Sequence, residues 1–206
     1  MTTEMVLPGR KRSIRRKGTQ RRQTIVDAAR KKLIESGLPG LVMRDLAESL
    51  GITHGNVQYY FSTKDDLLVA IFEQEVKRYT ESMHDAIELA TSRTARISII
   101  FDSAIEEIRS ESTSLWMMLH SLARQSESLR VILADANRLY DKTLAENLAL
   151  IDPGLSPERR HHIAQIIRIM IDGLSVQSIY DDLLSPELLA LQGELKATVA
   201  SLFDIS

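Results

Sequence analysis

The sequence contains no cysteine, so it can form neither a disulfide framework nor a thiolate metal site. Its apolar runs are only a few residues long, far short of the roughly 20 residues that a membrane-spanning helix needs. The N-terminal region is basic with no apolar segment behind it, which argues against an ordinary secretory signal. We therefore expect a cytoplasmic protein that makes no contact with a membrane.

The sequence also has few aromatic residues and no β-strand pattern. No segment rich in Val, Ile and Thr alternates apolar and polar residues, and apolar residues recur instead at spacings of three and four. The spacing predicts an all-α fold. A chain of 206 residues with 44% hydrophobic content can bury one large core or two small ones.

Motifs for catalysis and metal binding are missing as well. The sequence has no Walker A loop, no Gly-x-Ser-x-Gly elbow and no Gly-x-Gly-x-x-Gly turn. No two of the five histidines are three or four residues apart, so no helix can present a local histidine pair to a metal ion. We expect no enzyme activity, no catalytic residue, no metal and no cofactor. A helical protein whose catalytic or ligand-binding residues are distant in sequence stays open as an alternative.

Charge is distributed unevenly along the chain. Residues 1–64 carry 13 basic and 5 acidic side chains, a net charge of +8, whereas residues 65–206 carry 13 and 23, a net charge of −10. A basic head on an acidic body is typical of a nucleic-acid-binding protein, because phosphate contacts supply most of the sequence-independent affinity. A basic tail on an ordinary globule is the alternative that charge leaves open.

Composition and helix signals divide the chain into three parts. Residues 1–18 are predicted to be a flexible basic arm, residues 19–64 a helix-turn-helix head, and residues 65–206 a larger helical body. The arm could add phosphate contacts or enter the minor groove of DNA, as basic arms of other helix-turn-helix proteins do. A solubilising tail is an equal alternative.

The head is predicted to hold three helices. The first, over about 19–36, ends at Gly37, a residue suited to the left-handed conformation after a helix. Two short helices follow over about 43–50 and 53–60, separated by a turn at Gly51. Two short helices joined by a tight turn indicate a helix-turn-helix, whose second helix, the recognition helix, enters the major groove of DNA.

The body is predicted to begin with a long helix capped by Thr63 and Asp66. Ser156-Pro157 and Ser185-Pro186 mark two later helix starts, because each gives a capping side chain followed by proline at the first helical position. The five further helices are expected over about 93–109, 114–125, 128–150, 156–180 and 185–203.

The third predicted helix, over about 53–60, carries polar side chains of hydrogen-bonding length. The amides of Asn56 and Gln58 can pair with adenine edges or phosphates, and the hydroxyls of Tyr59 and Tyr60 can reach phosphates. Gly55 removes a side chain where backbone and DNA approach each other. Ordinary solvent-facing residues are the less favoured alternative, given the basic head around them.

Lys64 lies at the predicted start of the fourth helix, where a cation opposes the helix dipole. A DNA phosphate would reverse the sign of that interaction, because free backbone N–H groups and an ammonium together bind an anion. A solvated lysine tolerated at a small cost is the alternative, and it is the better one when Lys64 is considered alone.

Residues 44–47 (RDLA) and 51–68 (GITHGNVQYYFSTKDDLL) carry a specific resemblance. The stretch over 19–72 resembles the DNA-binding domain of the TetR/AcrR family of bacterial transcriptional regulators. Residues 172–174 (DGL) also resemble a stretch of the family's BetI-like branch. The resemblance implies a nine-helix fold and a homodimer formed by the last two helices. It further implies a repressor that binds a palindromic operator in double-stranded DNA and is released by a small-molecule effector.

The resemblance also implies roles for individual residues of the motif. Arg44, Tyr60 and Lys64 match phosphate- or base-contacting positions, and the recognition-helix positions complete the set. Two positions depart from the family's pattern: Val42 replaces a capping threonine and Gln58 replaces a tyrosine, which leaves the operator sequence open. The predicted DNA contacts are Arg44, Thr53, His54, Gly55, Asn56, Gln58, Tyr59, Tyr60 and Lys64.

The C-terminal half carries a separate indication of dimerisation. The helix around 163–174 is apolar on more than one face, so it must be buried on two sides, and a partner copy most easily covers the second. Gly173 would allow a neighbouring backbone to come close. A monomer with one deeply buried helix is the alternative. The predicted interface comprises Ile166, Ile169, Met170, Gly173, Leu188, Leu191 and Leu195.

Evidence for an effector pocket is limited to large side chains on the body helices. Such residues line apolar cavities, although each is more often ordinary core. A tryptophan near carboxylates could favour a cationic ligand, but an apolar ligand would fit equally well. The candidate lining residues are Phe101, Trp116, Met117, His120, Tyr140 and Met170. A DNA-binding architectural protein without an effector remains the alternative function.

Overall fold

The computed structural model describes residues 8–180, 182 and 184–204 of the chain. This part of the chain folds into nine α-helices and contains no strand, which confirms the predicted all-α, nine-helix fold. The helices are α1 (Pro8–Gly40), α2 (Met43–Ser49), α3 (His54–Tyr60), α4 (Lys64–Leu89), α5 (Arg93–Arg109), α6 (Ser112–Ala123), α7 (Glu127–Ile151), α8 (Pro157–Gln177) and α9 (Pro186–Ser201).

The described residues fall into two compact units. The N-terminal unit ends at Ile71 and the C-terminal unit begins at Phe72, so the boundary lies inside α4. The sequence predicts this boundary at residue 64, where α4 begins. The first two turns of α4 belong to the N-terminal unit because Leu67, Leu68 and Ile71 are buried there.

The first helix begins earlier than predicted. The sequence analysis places its start near residue 19, whereas α1 begins at Pro8 and includes much of the predicted arm. Arginine and lysine have high helix propensity, and the single Gly18 costs only about 1 kcal/mol, so the basic segment can continue the helix. Residues 1–7 of the arm lie outside the described residues. At the other end, Gly37 has φ 64° and interrupts α1 where the sequence predicts its end.

The N-terminal unit has a small apolar core. Ile25, Ala29 and Leu33 form the buried face of α1, Leu46 that of α2 and Val57 that of α3. Gly51 has φ 63° between α2 and α3, a conformation that favours glycine and lets the chain turn sharply. The short helices are thus held by their inward faces, which leaves their polar faces in solvent.

The C-terminal unit is built around a core shared by α4, α5, α7, α8 and the end of α9. Its buried members include Met83, Ile100, Leu148, Ile163 and Val199. A second, smaller cluster contains Phe101, Ile108, Leu174 and Leu188.

Serine caps define the starts of four body helices. The hydroxyls of Ser92, Ser126, Ser156 and Ser185 each accept a hydrogen bond from the backbone N–H three residues later. The last two are the starts that the sequence predicts from Ser-Pro pairs. The predicted bounds of the other body helices agree with the structure to within about two residues.

Candidate DNA-binding surface and effector cavity

The predicted DNA contacts lie together on the polar side of α3 and at its two ends. Thr53 caps α3 by accepting a hydrogen bond from the Asn56 backbone N–H at 3.2 Å. This bond uses only the backbone of Asn56, so its amide side chain stays available at the surface. Arg44, Thr53, Gly55, Asn56, Gln58 and Tyr59 are exposed, and His54, Tyr60 and Lys64 are partly exposed.

Tyr59 is the most prominent side chain on this surface. It is 82% exposed, and its ring meets the edge of the Tyr60 ring at 5.1 Å between centroids. Such a T-shaped contact restricts both rings without burying them. The departure at Val42 has a visible consequence, because α2 begins there without a side-chain cap and Val42 is 44% exposed.

A groove of the N-terminal unit runs along the recognition helix. One wall is formed by the basic segment of α1, including Lys17 and Arg21, and the other by Thr53, Asn56 and Tyr59. Both basic side chains are exposed at this place. The groove therefore combines positive charge with hydrogen-bonding side chains, the two components of a DNA-binding surface.

Lys64 has a partner that the sequence did not predict. Its ammonium donates a hydrogen bond to the backbone carbonyl of Leu38, in the turn that follows Gly37. Partial burial lowers the pKa of Lys64, while the nearby charge of Asp65 opposes that shift. The predicted cap is also present: the Thr63 backbone N–H donates to Asp66 at 2.9 Å, and the Asp66 N–H donates to the Thr63 hydroxyl at 3.0 Å. Because an ammonium has three N–H donors, this bond leaves Lys64 able to contact a phosphate.

Replacing Lys64 by glutamine is expected to have two effects. Loss of a charge-assisted hydrogen bond should cost about 1.5–3 kcal/mol of stability. Loss of a phosphate contact should lower the slope of log affinity against log salt by about one and weaken binding to all DNA sequences. Thermal unfolding and a salt series of DNA binding would measure the two effects. Lys31→Gln, at an exposed lysine of α1, is the matched control. An unchanged salt slope with a lower Tm would restrict Lys64 to a structural role.

The C-terminal unit contains a cavity of about 160 Å³. Four of the six predicted pocket residues line it: Trp116, Met117, His120 and Tyr140. The other two do not. Phe101 is buried in the small cluster with Ile108 and Leu188. Met170 packs against the main core, so both serve packing in this chain.

The walls of the cavity are largely apolar, but charged residues lie at the lining as well. Apolar side chains come from α4, α5, α6 and α8. The lining residues beyond the four predicted ones are Glu75, Val76, Tyr79, Glu107, Ile108, Thr113, Asn137, Arg168, Ile171, Asp172, Ser175 and Val176. A mostly apolar wall with a few polar groups is the usual composition of a small-molecule site.

One charged group is centred on Arg78 of α4. Its guanidinium donates to Glu107 at 2.7 Å and to the Ser112 hydroxyl at 2.9 Å, and it lies 3.4 Å from Glu75. Glu75 is only 1% exposed. Burial lowers the pKa of Arg78, but the hydrogen bonds that it donates to Glu107 and the nearby carboxylate charges outweigh this effect and raise the pKa, so the arginine stays charged.

A second charged group is centred on Arg168 of α8. Its Nε donates to Asp141 Oδ1 at 2.8 Å, and its Nη1 lies 3.4 Å from Asp172. His120 Nε2 lies 3.8 Å from the other oxygen of Asp172. Burial raises the pKa of Asp172, although the charges of His120 and Arg168 act in the opposite direction.

Three aromatic residues complete the cavity. The rings of Tyr79 and Tyr140 stack at 5.6 Å between centroids, and Trp116 meets the Phe72 ring at 5.1 Å. The two tyrosine hydroxyls are buried, and neither has a hydrogen-bond partner of normal geometry among the described residues. Burial raises the pKa of both tyrosines, so both hydroxyls remain protonated donors.

The charged lining residues are those that sequence reasoning missed. Glu107 follows Glu106 on a predicted helix, a pattern that by itself indicates a solvated helix face. For Glu75 a signal is present: it lies three residues after Phe72 and four before Tyr79, two large apolar residues of the same predicted helix, so helix geometry places all three on one face. For Arg168 and Asp141, which are 27 residues apart, no local pattern predicts the pairing.

The predicted dimer residues are divided between surface and core. Ile169 is 62% exposed, and no described atom lies within 4 Å of a Cβ built on Gly173, so this side of α8 is open in the single chain. Leu188, by contrast, is buried in the small core cluster of its own chain. Leu191 is exposed, and Ile166, Met170 and Leu195 are partly exposed. Other exposed apolar residues nearby in sequence are Val176, Ile179, Tyr180, Leu184 and Leu189.

The described residues lack two other kinds of feature, a metal-binding cluster and a membrane-spanning helix. Among the described residues, no group of three or more His, Asp or Glu side chains is arranged to hold a metal ion. In the same part of the chain, no helix has the length and apolar character needed to cross a membrane.

Comparison with known proteins gives concordant results. The family model "Bacterial regulatory proteins, tetR family" matches residues 25–71. The regulator BetI of Rhizobium meliloti is 26% identical over 159 residues, which cover 76% of this chain and 77% of that protein.

Two solved structures share the fold. A TetR transcription regulator from Haloarcula marismortui has a TM-score of 0.64 at 22% identity, covering 90% of this chain and 97% of that one. The regulator FadR from Bacillus subtilis, solved in complex with stearoyl-CoA, has a TM-score of 0.62 at 19% identity, covering 86% and 96%.

Proposed function

We infer that this chain is a DNA-binding transcriptional regulator of the TetR family and not an enzyme, from its match to the family model and its similarity to BetI. We propose that it is a homodimeric repressor that acts in the cytoplasm, binds a palindromic operator, and is released from it by a small molecule.

The observation that carries DNA binding is the capped, solvent-facing recognition helix. Thr53 fixes the start of α3, Val57 anchors its inner side, and Asn56, Gln58 and Tyr59 remain free to contact a ligand. In a helix-turn-helix, these N-terminal positions face base edges in the major groove. Arg44 and Lys64 at the ends of the motif, with Lys17 and Arg21 along the groove, supply cations for phosphates.

The geometry of operator binding supports the dimer in this proposal. Two recognition helices engage successive major grooves when they are about 34 Å apart, so a dimer reads two half-sites on one face of the duplex. The open side of α8 around Ile169 and Gly173 and the exposed Leu191 of α9 offer an apolar surface for that partner.

The cavity supports an effector. FadR from Bacillus subtilis was solved in complex with stearoyl-CoA, so a protein of this fold can bind a small molecule. In this chain three cavity residues, Glu75, Val76 and Tyr79, lie on α4, the helix that begins with Lys64 at the DNA-binding surface. A ligand that prefers one position of α4 would bias the separation of the two heads, and a small bias matters because both half-sites must be bound at once.

The test is DNA binding by the purified protein over a salt series. Fluorescence anisotropy would compare the duplex upstream of the protein's own gene with a scrambled duplex. We expect at least a thousandfold preference for the native duplex, the range of specific regulators. Equal, steeply salt-dependent affinity for both duplexes would instead favour an architectural protein without an effector, and binding to neither would contradict the proposal.

A further inference from the structure

In each of the two charged groups at the cavity, one arginine contacts two carboxylates. Arg78 interacts with two carboxylates, those of Glu75 and Glu107, and Arg168 likewise interacts with two, those of Asp141 and Asp172. Counting only these side chains, each group has a formal charge of −1 when its carboxylates are ionised. His120, 3.8 Å from Asp172, adds a positive charge to the second group only when it is protonated. Both arginines already donate to carboxylates, so an anionic ligand would meet an excess of negative charge at either group.

The surface that accompanies these groups is apolar and aromatic. Trp116, Ile108, Ile171 and Val176 line the cavity together with Tyr79, whose buried hydroxyl has no hydrogen-bond partner of normal geometry among the described residues. Alkyl groups pack favourably on such a surface, and the aromatic rings attract a neighbouring cation. The cavity thus suits a ligand that combines an apolar part with positive charge.

The size of the cavity limits the length of that ligand. An engineered apolar cavity of ~150 Å³ binds benzene, which has six carbon atoms. The cavity of this chain, at about 160 Å³, is of the same size. A four-carbon chain with an amino group at each end also has six non-hydrogen atoms.

We propose that the effector is a short α,ω-diamine, with one ammonium at the Glu75–Glu107 group and the other at Asp172. This inference rests on the proposed function, because it assigns a ligand class to the cavity of the regulator. The methylene chain lies against Trp116 and Ile171. Each ammonium adds a positive charge to a group in which one arginine contacts two carboxylates, and a buried tyrosine hydroxyl can rotate to accept an N–H.

Asp172 provides an independent readout. Burial raises its pKa, the charges of His120 and Arg168 lower it, and that of Asp141 raises it. A bound ammonium would lower it further, because an opposite charge favours the ionised form. Diamine binding is therefore expected to release protons at pH values near that pKa, and the affinity should increase as the pH rises through it. Calorimetry in buffers of different ionisation enthalpy would count the protons released.

The binding experiment uses the full chain and its single tryptophan. Because Trp116 lines the cavity, its fluorescence should change on titration with 1,4-diaminobutane or 1,5-diaminopentane. Butylamine, 1,4-butanediol and succinate are the comparison ligands. Since a hydrogen bond between charged groups contributes about 1.5–3 kcal/mol, the better diamine should bind roughly tenfold to a hundredfold more tightly than butylamine. Equal affinity for diamine, monoamine and diol, or preference for succinate, would overturn the inference.

Variants at each end test the two-site geometry. Asp172→Asn and Glu107→Gln should each reduce diamine affinity to about that of butylamine, while leaving butylamine binding at the other end. Asp135→Asn, at an exposed carboxylate of α7 that does not line the cavity, is the control and should bind like the parent. Thermal unfolding identifies a variant that has lost its fold. If one of the two variants is unfolded, the diamine affinity of the other variant tests the geometry.

DNA binding separates this inference from the function on which it rests. If the chain prefers its operator but binds diamines no better than monoamines, the regulator stands and the ligand class is wrong. If the chain binds diamines but no operator, the cavity assignment stands as a ligand site and the repressor proposal is wrong.

Discussion

Replacing Asn56 by alanine is expected to weaken operator binding by about thirtyfold or more. A bidentate amide–adenine contact discriminates by about 1–3 kcal/mol, and a dimer makes it twice, so the total loss is roughly 2–6 kcal/mol. The fold should be unaffected, because the cap of α3 uses the backbone N–H of Asn56 and not its side chain. Affinity for a scrambled duplex should stay within about twofold of the parent, because phosphate contacts dominate there.

The control for this prediction is Gln125→Ala, which removes an exposed amide from the body. Anisotropy with the operator and the scrambled duplex, at one salt concentration, provides the comparison. If Asn56→Ala weakened both duplexes equally, Asn56 would contact phosphate and not a base. If it weakened neither, the assignment of the recognition surface would be wrong.

Replacing Ile169 by glutamate is expected to convert the protein to a monomer and to abolish tight operator binding. The side chain is 62% exposed in the single chain, so the charge should cost little in folding. In a dimer the same charge would lie in an apolar interface without a partner, which costs several kcal/mol. Loss of the second head removes the avidity of two linked sites, a factor of roughly 10²–10⁴.

Light scattering coupled to size-exclusion chromatography would measure the mass, and anisotropy the operator affinity. Leu89→Glu is the matched control, because Leu89 is an equally apolar residue, 83% exposed, at the end of α4 and outside the predicted interface. A dimeric Ile169→Glu protein would place the interface elsewhere. A monomer that still binds the operator tightly would show that one head suffices.

The architecture follows from local sequence to a large extent. Spacings of three and four gave the nine helices, and capping residues such as Ser156 and Ser185 gave their starts, because both signals act within one or two turns. The predicted start of α1 was wrong by about 11 residues. Gly18 and the charge of the arm were interpreted as signs of a flexible segment, whereas the helix propensity of arginine and lysine is compatible with a continuing helix.

The candidate sites divide in the same way. The DNA-binding surface is local, because one short helix and its flanking residues carry most of it, and its motif can be read along the chain. The cavity is not local: Tyr79 and Tyr140 stack although 61 positions separate them in sequence, and Arg168 meets Asp141 from another helix. Pairings of this kind depend on how helices pack, so the sequence predicted only the large residues Trp116, Met117, His120 and Tyr140 and left their charged neighbours out.

The Thr53 cap also bears on how this protein could change its target. The start of α3 is fixed by Thr53 and its inner side by Val57, whereas the exposed Asn56, Gln58 and Tyr59 contribute little to the core. Substitutions at these three positions can alter base preference with little cost in folding free energy, because surface changes away from caps and core usually stay within about 0.5 kcal/mol. New operators are therefore accessible by single mutations, through intermediates that remain folded. A library limited to these positions would retarget the regulator while its response to effector is retained.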